Sequence, residues 1–113
     1  MVEVYDYYPV ITALQLEELG LCPAGEVVRF IRENTFTVEG TVPLNTSGGQ
    51  LSVGQAGAAG GYLALVEGLR QVTGTALGAR VADAHHALVS GFGIINYDRG
   101  LCSAAAVLAA GAP

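Results

Sequence analysis

The feature that most constrains this chain is a stretch rich in glycine and alanine at residues 45–61, which runs directly into an amphipathic segment at 62–72. Small residues let the backbone pass close to a ligand and leave main-chain N–H groups free to bind it. In the segment that follows, apolar side chains recur at helical spacing: Leu63, Val66, Leu69 and Val72. The pattern therefore predicts a ligand-binding loop and, at residues 58–72, a helix.

The composition indicates that much of the surface is covered by another chain. The 113 residues suffice for one domain, 1–113, with no linker or second domain. They are 51% hydrophobic and only 13% charged, whereas charged residues make up about a quarter of an ordinary soluble domain. We therefore expect a homodimer face or a partner chain against this surface.

The charges and cysteines exclude several classes of function. With a net charge of -5 and five basic residues, the chain has no footprint for nucleic acid or for an anionic membrane. Cys22 and Cys102 lack metal-binding spacing, which favours reduced thiols in a cytoplasmic protein. No metal site is expected, because the neighbours His85 and His86 would point to opposite faces of a strand.

Helical and extended patterns together predict an α/β fold, a mixed sheet with helices packed on it. The predicted strands are residues 2–8, 86–92 and 103–109, with a short extended piece at 36–38 and strand or loop character at 44–53. The predicted helices are 11–19, 27–32 and 58–72, and glycines end the first and the last of them. Residues 91–100 would connect the last two strands. Those two strands are nearly free of charge, which suggests that they are buried on both faces.

Four stretches, in order along nearly the whole chain, resemble motifs of a known family. V-Y-D-Y-Y at 4–8 with L-E-E-L-G-L-C at 16–22 resembles H-D-x-F and L-E-D-L-G-F-C, and G-E at 25–26 is similar to K-G-E. P-L-N-T-S-G-G at 43–49 is similar to L-P-V-N-T-S-G-G. Residues 54–61 and 67–74 resemble G-H-P-G-A-G-G and E-A-V-R-Q-L-R-G. The chain thus resembles the C-terminal half of thiolases, most closely the sterol-carrier and lipid-transfer branch.

This resemblance implies a protein of two similar halves, of which the chain is the second. The nucleophilic cysteine of a thiolase belongs to the first half, so neither Cys22 nor Cys102 inherits that role. The chain would then be a fragment, a split subunit or an excised piece. By itself it should show no catalysis.

Set against the thiolase pattern, the chain departs at its chemical groups. Gln55 stands where the motif has histidine, and Tyr5 stands at the first position of H-D-x-F. The loop at residues 91–97, where a thiolase has C-x-G, carries no such motif. Glutamine donates hydrogen bonds but cannot shuttle a proton near neutral pH. Claisen condensation through an acyl-enzyme is therefore not expected.

The likeness is closest to the lipid-transfer-protein-type steroid side-chain aldolases. These resemble thiolases but cleave a β-hydroxyacyl-CoA by retro-aldol chemistry, with tyrosines as the acid and base groups. The resemblance implies that Tyr97 is the base or a proton relay and that Tyr5 is its partner or an enolate donor. The contacts to the CoA thioester would come from Gln55, Ser47, Gly48, Gly57 and Gly93. No cofactor is implied, because the CoA thioester is the substrate.

The tyrosines also have simpler interpretations, which stay open at this point. Tyr7 and Tyr8 suit packing at a strand end before proline, and Tyr5 could belong to the same core. Tyr97 lies in a turn-like composition between Asn96 and Asp98, which favours exposure.

Three functions are consistent with these residues. The first is part of an enzyme that cleaves a β-hydroxyacyl-CoA, of the sterol side-chain type, by retro-aldol chemistry. The second is a non-catalytic thiolase-like domain that binds acyl-CoA or a partner, and the third is the C-terminal half of an acyltransferase, a thiolase proper. The expected partners are acyl-CoA, a second copy or an N-terminal thiolase half, and an OB-fold protein that associates with acyl-CoA.

Overall fold

A mixed three-stranded sheet with helices around it forms the framework of the chain. The computed structural model describes residues 1–55, 57–97 and 99–111. Its strands are β1 (Val2–Glu3), β2 (His86–Asn96) and β3 (Arg99–Ala109). Its α-helices are α1 (Pro9–Glu18), α2 (Val27–Glu33), α3 (Gly49–Val53) and α4 (Gly61–Val72), and a 3₁₀ turn, Gly57–Gly60, precedes α4. None of the helices in the described ranges is long and apolar enough to cross a membrane.

The sheet has the order β1-β2-β3. Strand β1 runs parallel to β2, with Val2 opposite Leu88, and a single parallel bridge joins Val2 to Leu44. Strands β2 and β3 are antiparallel, in a register that runs from His86 opposite Ala109 to Asn96 opposite Arg99. Parallel and antiparallel pairs in one sheet, with helices packed against it, confirm the predicted α/β fold.

Glycine ends two of the helices, as predicted. Gly20 has a positive φ of 77°, and its N–H donates to the Glu17 carbonyl while the Leu21 N–H donates to that of Leu16. Gly74, with φ 71°, ends α4 through the same two kinds of bond. This pattern satisfies carbonyls that the last helical turn leaves without partners, and it favours the residue that adopts positive φ at least cost.

The core consists of two apolar clusters, one on α4 and one beneath α1 and α2. The first contains Ala64, Val72, Ala87 and Val89. The second is built on Val2, Val4 and Leu16. Helix α4 lies so close to the sheet at Gly68 that a Cβ there would come within 2.9 Å of the Val89 side chain. The small residue at position 68 therefore sets the distance between helix and sheet.

A partly buried polar network joins β1, Thr46 and α4, and it includes two carboxyl groups. The Thr46 hydroxyl lies 3.0 Å from the carboxyl of Glu3 and 2.7 Å from that of Glu67. Gln71 donates to the Thr46 hydroxyl and to Glu67, at 3.1 and 2.8 Å. Since one hydroxyl proton serves only one acceptor, the geometry accommodates a proton on one of the carboxyls.

Burial favours the protonated form of Glu3. Its residue is 1% exposed, and this desolvation raises the pKa of Glu3 to about 7, with smaller upward contributions from Glu67 and Asp6. Hydrogen bonds from the backbone and side chain of Thr46 oppose the rise. Burial dominates because a charged carboxylate loses its hydration.

Several element boundaries differ from the sequence prediction. Strand β1 ends at Glu3 rather than at residue 8, and residues 36–38 form no strand. The segment 44–53 ends in the short helix α3. Residues 91–100, expected as a connection, mostly continue β2 and β3, because the two strands pair along their whole length despite their glycines.

Strand β3 also differs from expectation in its burial. Almost all of its residues are exposed in the described chain, although only one of them, Arg99, is charged. The prediction of burial on both faces was wrong for this chain taken alone, because helix α4 packs mainly against β2 and leaves β3 little covered.

Because the pKa of Glu3 is raised, the stability of the fold should decrease as pH rises. Folding favours the protonated form, so this contribution is fully present below the ordinary glutamate pKa of 4.5 and is lost as pH rises through about 7. Between pH 4.5 and 7.5 the protein should therefore lose stability relative to the Glu3→Gln variant, which stays neutral. Denaturant midpoints at a series of pH values measure the difference.

A matched control is Glu39→Gln, which replaces an exposed carboxyl and should leave the pH profile unchanged. Parallel profiles for the unsubstituted protein and the Glu3→Gln variant would contradict the assignment of the proton to Glu3.

Candidate active site

A cavity of about 510 Å³ lies where the segment after β1 meets the glycine-rich loop and the β2–β3 hairpin. Its lining includes Tyr5, Gln50 and Gln55 on one side, and Phe92, Gly93 and Cys102 from the hairpin. A volume of this size suits a small-molecule site. Aromatic, amide and thiol groups therefore face one space.

The Tyr5 hydroxyl and the Gln55 amide meet in this cavity. Gln55 donates from Nε2 to the Tyr5 oxygen at 3.3 Å. The Tyr5 ring lies beside Phe92, with ring centroids 6.3 Å apart. Because Gln55 occupies the phenol oxygen as a donor, the Tyr5 O–H remains able to donate to a ligand.

Gln15 on α1 holds the backbone of Tyr5. Its Nε2 donates to the Tyr5 carbonyl at 2.6 Å, and its Oε1 accepts from the Tyr5 N–H at 3.2 Å. The Ser90 hydroxyl of β2 donates to the same Oε1 at 2.8 Å. Helix α1 and strand β2 thus fix the position from which the Tyr5 ring extends.

Side chains also join the segment after β1 to the glycine-rich loop. Asn45 bonds both backbone groups of Val4, at 2.8 and 3.1 Å. Asp6 accepts from the Gln50 N–H at 2.8 Å and thereby serves the first turn of α3. A Cβ at Gly49 would collide with the Asp6 carboxylate, and Gly49 also has a positive φ of 69°, so glycine is required there.

Of the residues predicted from the sequence, four line this cavity: Tyr5, Gln55, Gly57 and Gly93. Ser47 instead lines a small void beside Glu3. Gly48, with φ 94°, forms the N-cap of α3. The roles given to these residues stay predictions, but the structure brings the four together.

Tyr97 lies apart from Tyr5. It begins the turn between β2 and β3, has a positive φ of 49°, and is 91% exposed. The neighbouring Asp98, and Ala56 in the glycine-rich loop, lie outside the described residues. Within the described chain, Tyr97 is not part of the cavity lining.

Gln50 and Cys102 are among the lining residues that sequence reasoning missed. Gln50 lies within the glycine-rich loop, but no sequence pattern indicated that its side chain would be buried. Cys102 faces the cavity because it lies opposite Gly93 in the hairpin, and only the strand register reveals that pairing.

The amino-acid sequence of the chain matches a known family. Residues 1–108 match the family described as Thiolase C-terminal domain-like. The chain belongs to the thiolase C-terminal domain-like family. The resemblance expected from the four stretches is therefore confirmed over nearly the whole length.

Three curated relatives are similar to the chain. The 17-hydroxy-3-oxo-4-pregnene-20-carboxyl-CoA lyase of Mycobacterium tuberculosis is 40% identical over 77% of this chain and 22% of the relative. The steroid side-chain-cleaving aldolase of Thermomonospora curvata is 36% identical over 66% of this chain and 18% of the relative. The benzoylsuccinyl-CoA thiolase subunit BbsB of Thauera aromatica is 32% identical over 72% of this chain and 21% of the relative.

The names of these relatives describe a lyase, a side-chain-cleaving aldolase and a thiolase subunit. The chain spans about a fifth of the length of each. No solved structure matches the chain significantly.

The two cysteines of this thiolase-like domain should differ in reactivity. Cys102 is exposed and lines the cavity, whereas burial, with Glu17 and Glu26 nearby, raises the pKa of the Cys22 thiol. Thiolate is the reactive form, so N-ethylmaleimide should modify Cys102 first. A saturating acyl-CoA should slow that modification. Peptide mapping by mass spectrometry measures both rates.

The Cys102→Ser variant is the control for this experiment, and it should remove the fast reaction. Equal modification of the two thiols, or an unchanged Cys102 rate in the presence of acyl-CoA, would contradict the placement of Cys102 in a ligand site.

Proposed function

We propose that this chain is the C-terminal part of a thiolase-like enzyme that cleaves a β-hydroxyacyl-CoA by retro-aldol chemistry. The observation that carries the proposal is the pairing of the Tyr5 hydroxyl with the Gln55 amide in the cavity. Gln55 stands at the position where the resemblance to thiolases expects histidine. Two relatives named as a lyase and an aldolase support the same reaction class.

The reaction requires a base, donors for an enolate and no covalent acyl-enzyme. The base takes the proton of the β-hydroxyl, the bond between Cα and Cβ breaks, and a ketone or aldehyde leaves. The electron pair passes into the thioester as an enolate, which is protonated at Cα to give the shorter acyl-CoA. Such proton transfer by a positioned side chain is worth about 10²- to 10⁴-fold in rate.

Within this scheme the described residues have two roles, proton transfer and hydrogen-bond donation to the enolate. Tyr5 is placed to exchange a proton with the substrate, since its O–H is free to face the cavity. The Gln55 amide and the N–H groups of the glycine-rich loop are donors for the developing enolate oxygen. Tyr97 would act as a second proton-transfer group only in an assembly that brings the β2–β3 turn to a site.

The exposed β3 supports the proposal that this chain works within a larger assembly. An edge strand of eleven residues with a single charge is prone to pair with another chain. We propose an N-terminal thiolase half or a second copy as the partner; an OB-fold partner rests on the family resemblance alone. The two free thiols suit a cytoplasmic setting.

Two other functions each have one supporting observation. Gln55 cannot exchange protons near neutral pH, which favours a domain that binds acyl-CoA without chemistry. The relative named as a benzoylsuccinyl-CoA thiolase subunit favours the C-terminal part of a thiolase. Formation of a covalent acyl-enzyme in the assembled protein would select the thiolase.

The proposal predicts that removing the Tyr5 hydroxyl oxygen lowers turnover. In the assembled protein, Tyr5→Phe should lower turnover of a β-hydroxyacyl-CoA by at least 100-fold, roughly the low end for a lost acid or base, while acyl-CoA binding changes little. Chromatographic assay of the released carbonyl compound and the shortened acyl-CoA measures turnover, and calorimetry measures binding.

The matched control is Tyr7→Phe, because Tyr7 packs against Tyr5 with ring centroids 6.2 Å apart but is not in the cavity lining. Undiminished turnover in Tyr5→Phe would contradict the assignment of proton transfer to Tyr5. Loss of turnover in Tyr97→Phe would show that the assembled site includes that turn.

A further inference from the structure

Gln50 carries a buried hydrogen-bond acceptor that no described group satisfies. The residue is 8% exposed and lines the cavity. Its Oε1 is the buried side-chain atom without a partner among the described residues. Buried polar atoms nearly always have partners, so an unpaired one in a cavity points to a ligand atom.

Two contacts determine which way the Gln50 amide faces. Its Nε2 donates to the Gly60 carbonyl at 3.4 Å, and the reverse orientation would place two acceptors together. A Cβ built on Gly60 would lie 3.7 Å from the Gln50 Oε1 and 3.4 Å from the Gln55 Cγ. Gly60 therefore lies near both the unpaired oxygen and the Gln55 side chain, and Gln50 and Gln55 both line the cavity.

The small void next to Glu3 is less able to hold a hydrogen-bond partner for this oxygen. Gln50 lines that void as well, but its volume is about 10 Å³, at the lower limit for a single water molecule. The cavity of about 510 Å³ has room for a substrate group. The space available favours a ligand on the Tyr5 side.

The chemistry of an amide oxygen restricts what it can bind. Oε1 accepts but cannot donate, so it does not recognise a thioester carbonyl. Tyr5 and Gln55 supply donors in the same cavity, and Gln50 adds an acceptor. A hydroxylated acyl thioester offers the complementary set, one O–H donor and one carbonyl acceptor.

We propose that Gln50 Oε1 accepts a hydrogen bond from the β-hydroxyl of the acyl chain and so selects hydroxylated acyl-CoA over its deoxy counterpart. This inference rests on the proposed function, whose substrate it specifies. The bond forms in the bound substrate and is given up when the base takes the proton. Because the bond is absent when the proton is transferred, its loss should raise KM and should not lower kcat.

The experiment compares a β-hydroxyacyl-CoA with the matching deoxyacyl-CoA in the assembled protein. Calorimetry is done in the Tyr5→Phe background so that the ligand is not consumed; if turnover persists there, the KM of the hydroxyl compound and the inhibition constant of the deoxy compound replace it. Unsubstituted Gln50 should favour the hydroxyl compound about tenfold, a typical net hydrogen bond. Gln50→Met, similar in volume, and Gln50→Leu should both reduce this preference to near one.

Leu51→Met is the matched control, because Leu51 neighbours Gln50 on α3, is exposed, and is absent from the cavity lining; it should keep the preference. Weaker binding of both thioesters and of free CoA by the same factor would overturn the proposal, since the donor would then belong to the CoA moiety. An unchanged preference in both Gln50 variants would also overturn it.

Failure of the reaction is distinguishable from failure of this inference. A protein that binds both thioesters without cleaving either refutes the retro-aldol function and leaves the hydroxyl preference measurable. A protein that cleaves the substrate but loses no preference in the Gln50 variants keeps the function and refutes the role of Gln50.

Discussion

The structure depends on the pairing between the first residues of the chain and the start of the glycine-rich loop. Backbone bonds join Val2 to Pro43 and Asn45, and side-chain bonds join Val4 to Asn45 and Glu3 to Thr46. Strand β1 is only two residues long, so its ladder alone would hold it weakly. These side-chain bonds extend the pairing beyond the strand and bring Tyr5 and Gln55 together although fifty residues separate them.

The same arrangement explains which parts of the fold could be predicted. The ends of α1 and α4 followed from local chemistry, because a glycine with positive φ closes each helix within its own last turn. The α/β class followed from apolar periodicity. Strand boundaries did not, since β2 continues through Gly91 and Gly93 only because β3 pairs with them, and partners distant in sequence leave no local signal.

Some residues of the candidate site could also be predicted from the sequence, and others could not. The family resemblance assigned both Tyr5 and Gln55 to the substrate site, although it did not predict the hydrogen bond between them. Cys102 and Gln50 carried no such signal. Cys102 enters through strand register, and Gln50 through burial that depends on Asp6, Gly60 and the turn of α3. Tyr97 was placed by motif position alone, and its place in the described chain is an exposed turn.

The close approach of α4 to the sheet at Gly68 has a consequence for how the domain folds. Glycine inside a helix costs about 1 kcal/mol relative to alanine, and a twelve-residue helix is marginal in water even with good formers. Helix α4 therefore gains its stability mainly from docking on Val89 and its neighbours. We infer that α4 and the β2–β3 hairpin form cooperatively, so that the loop carrying Gln50 and Gln55 acquires its shape only once the long-range hairpin contacts exist.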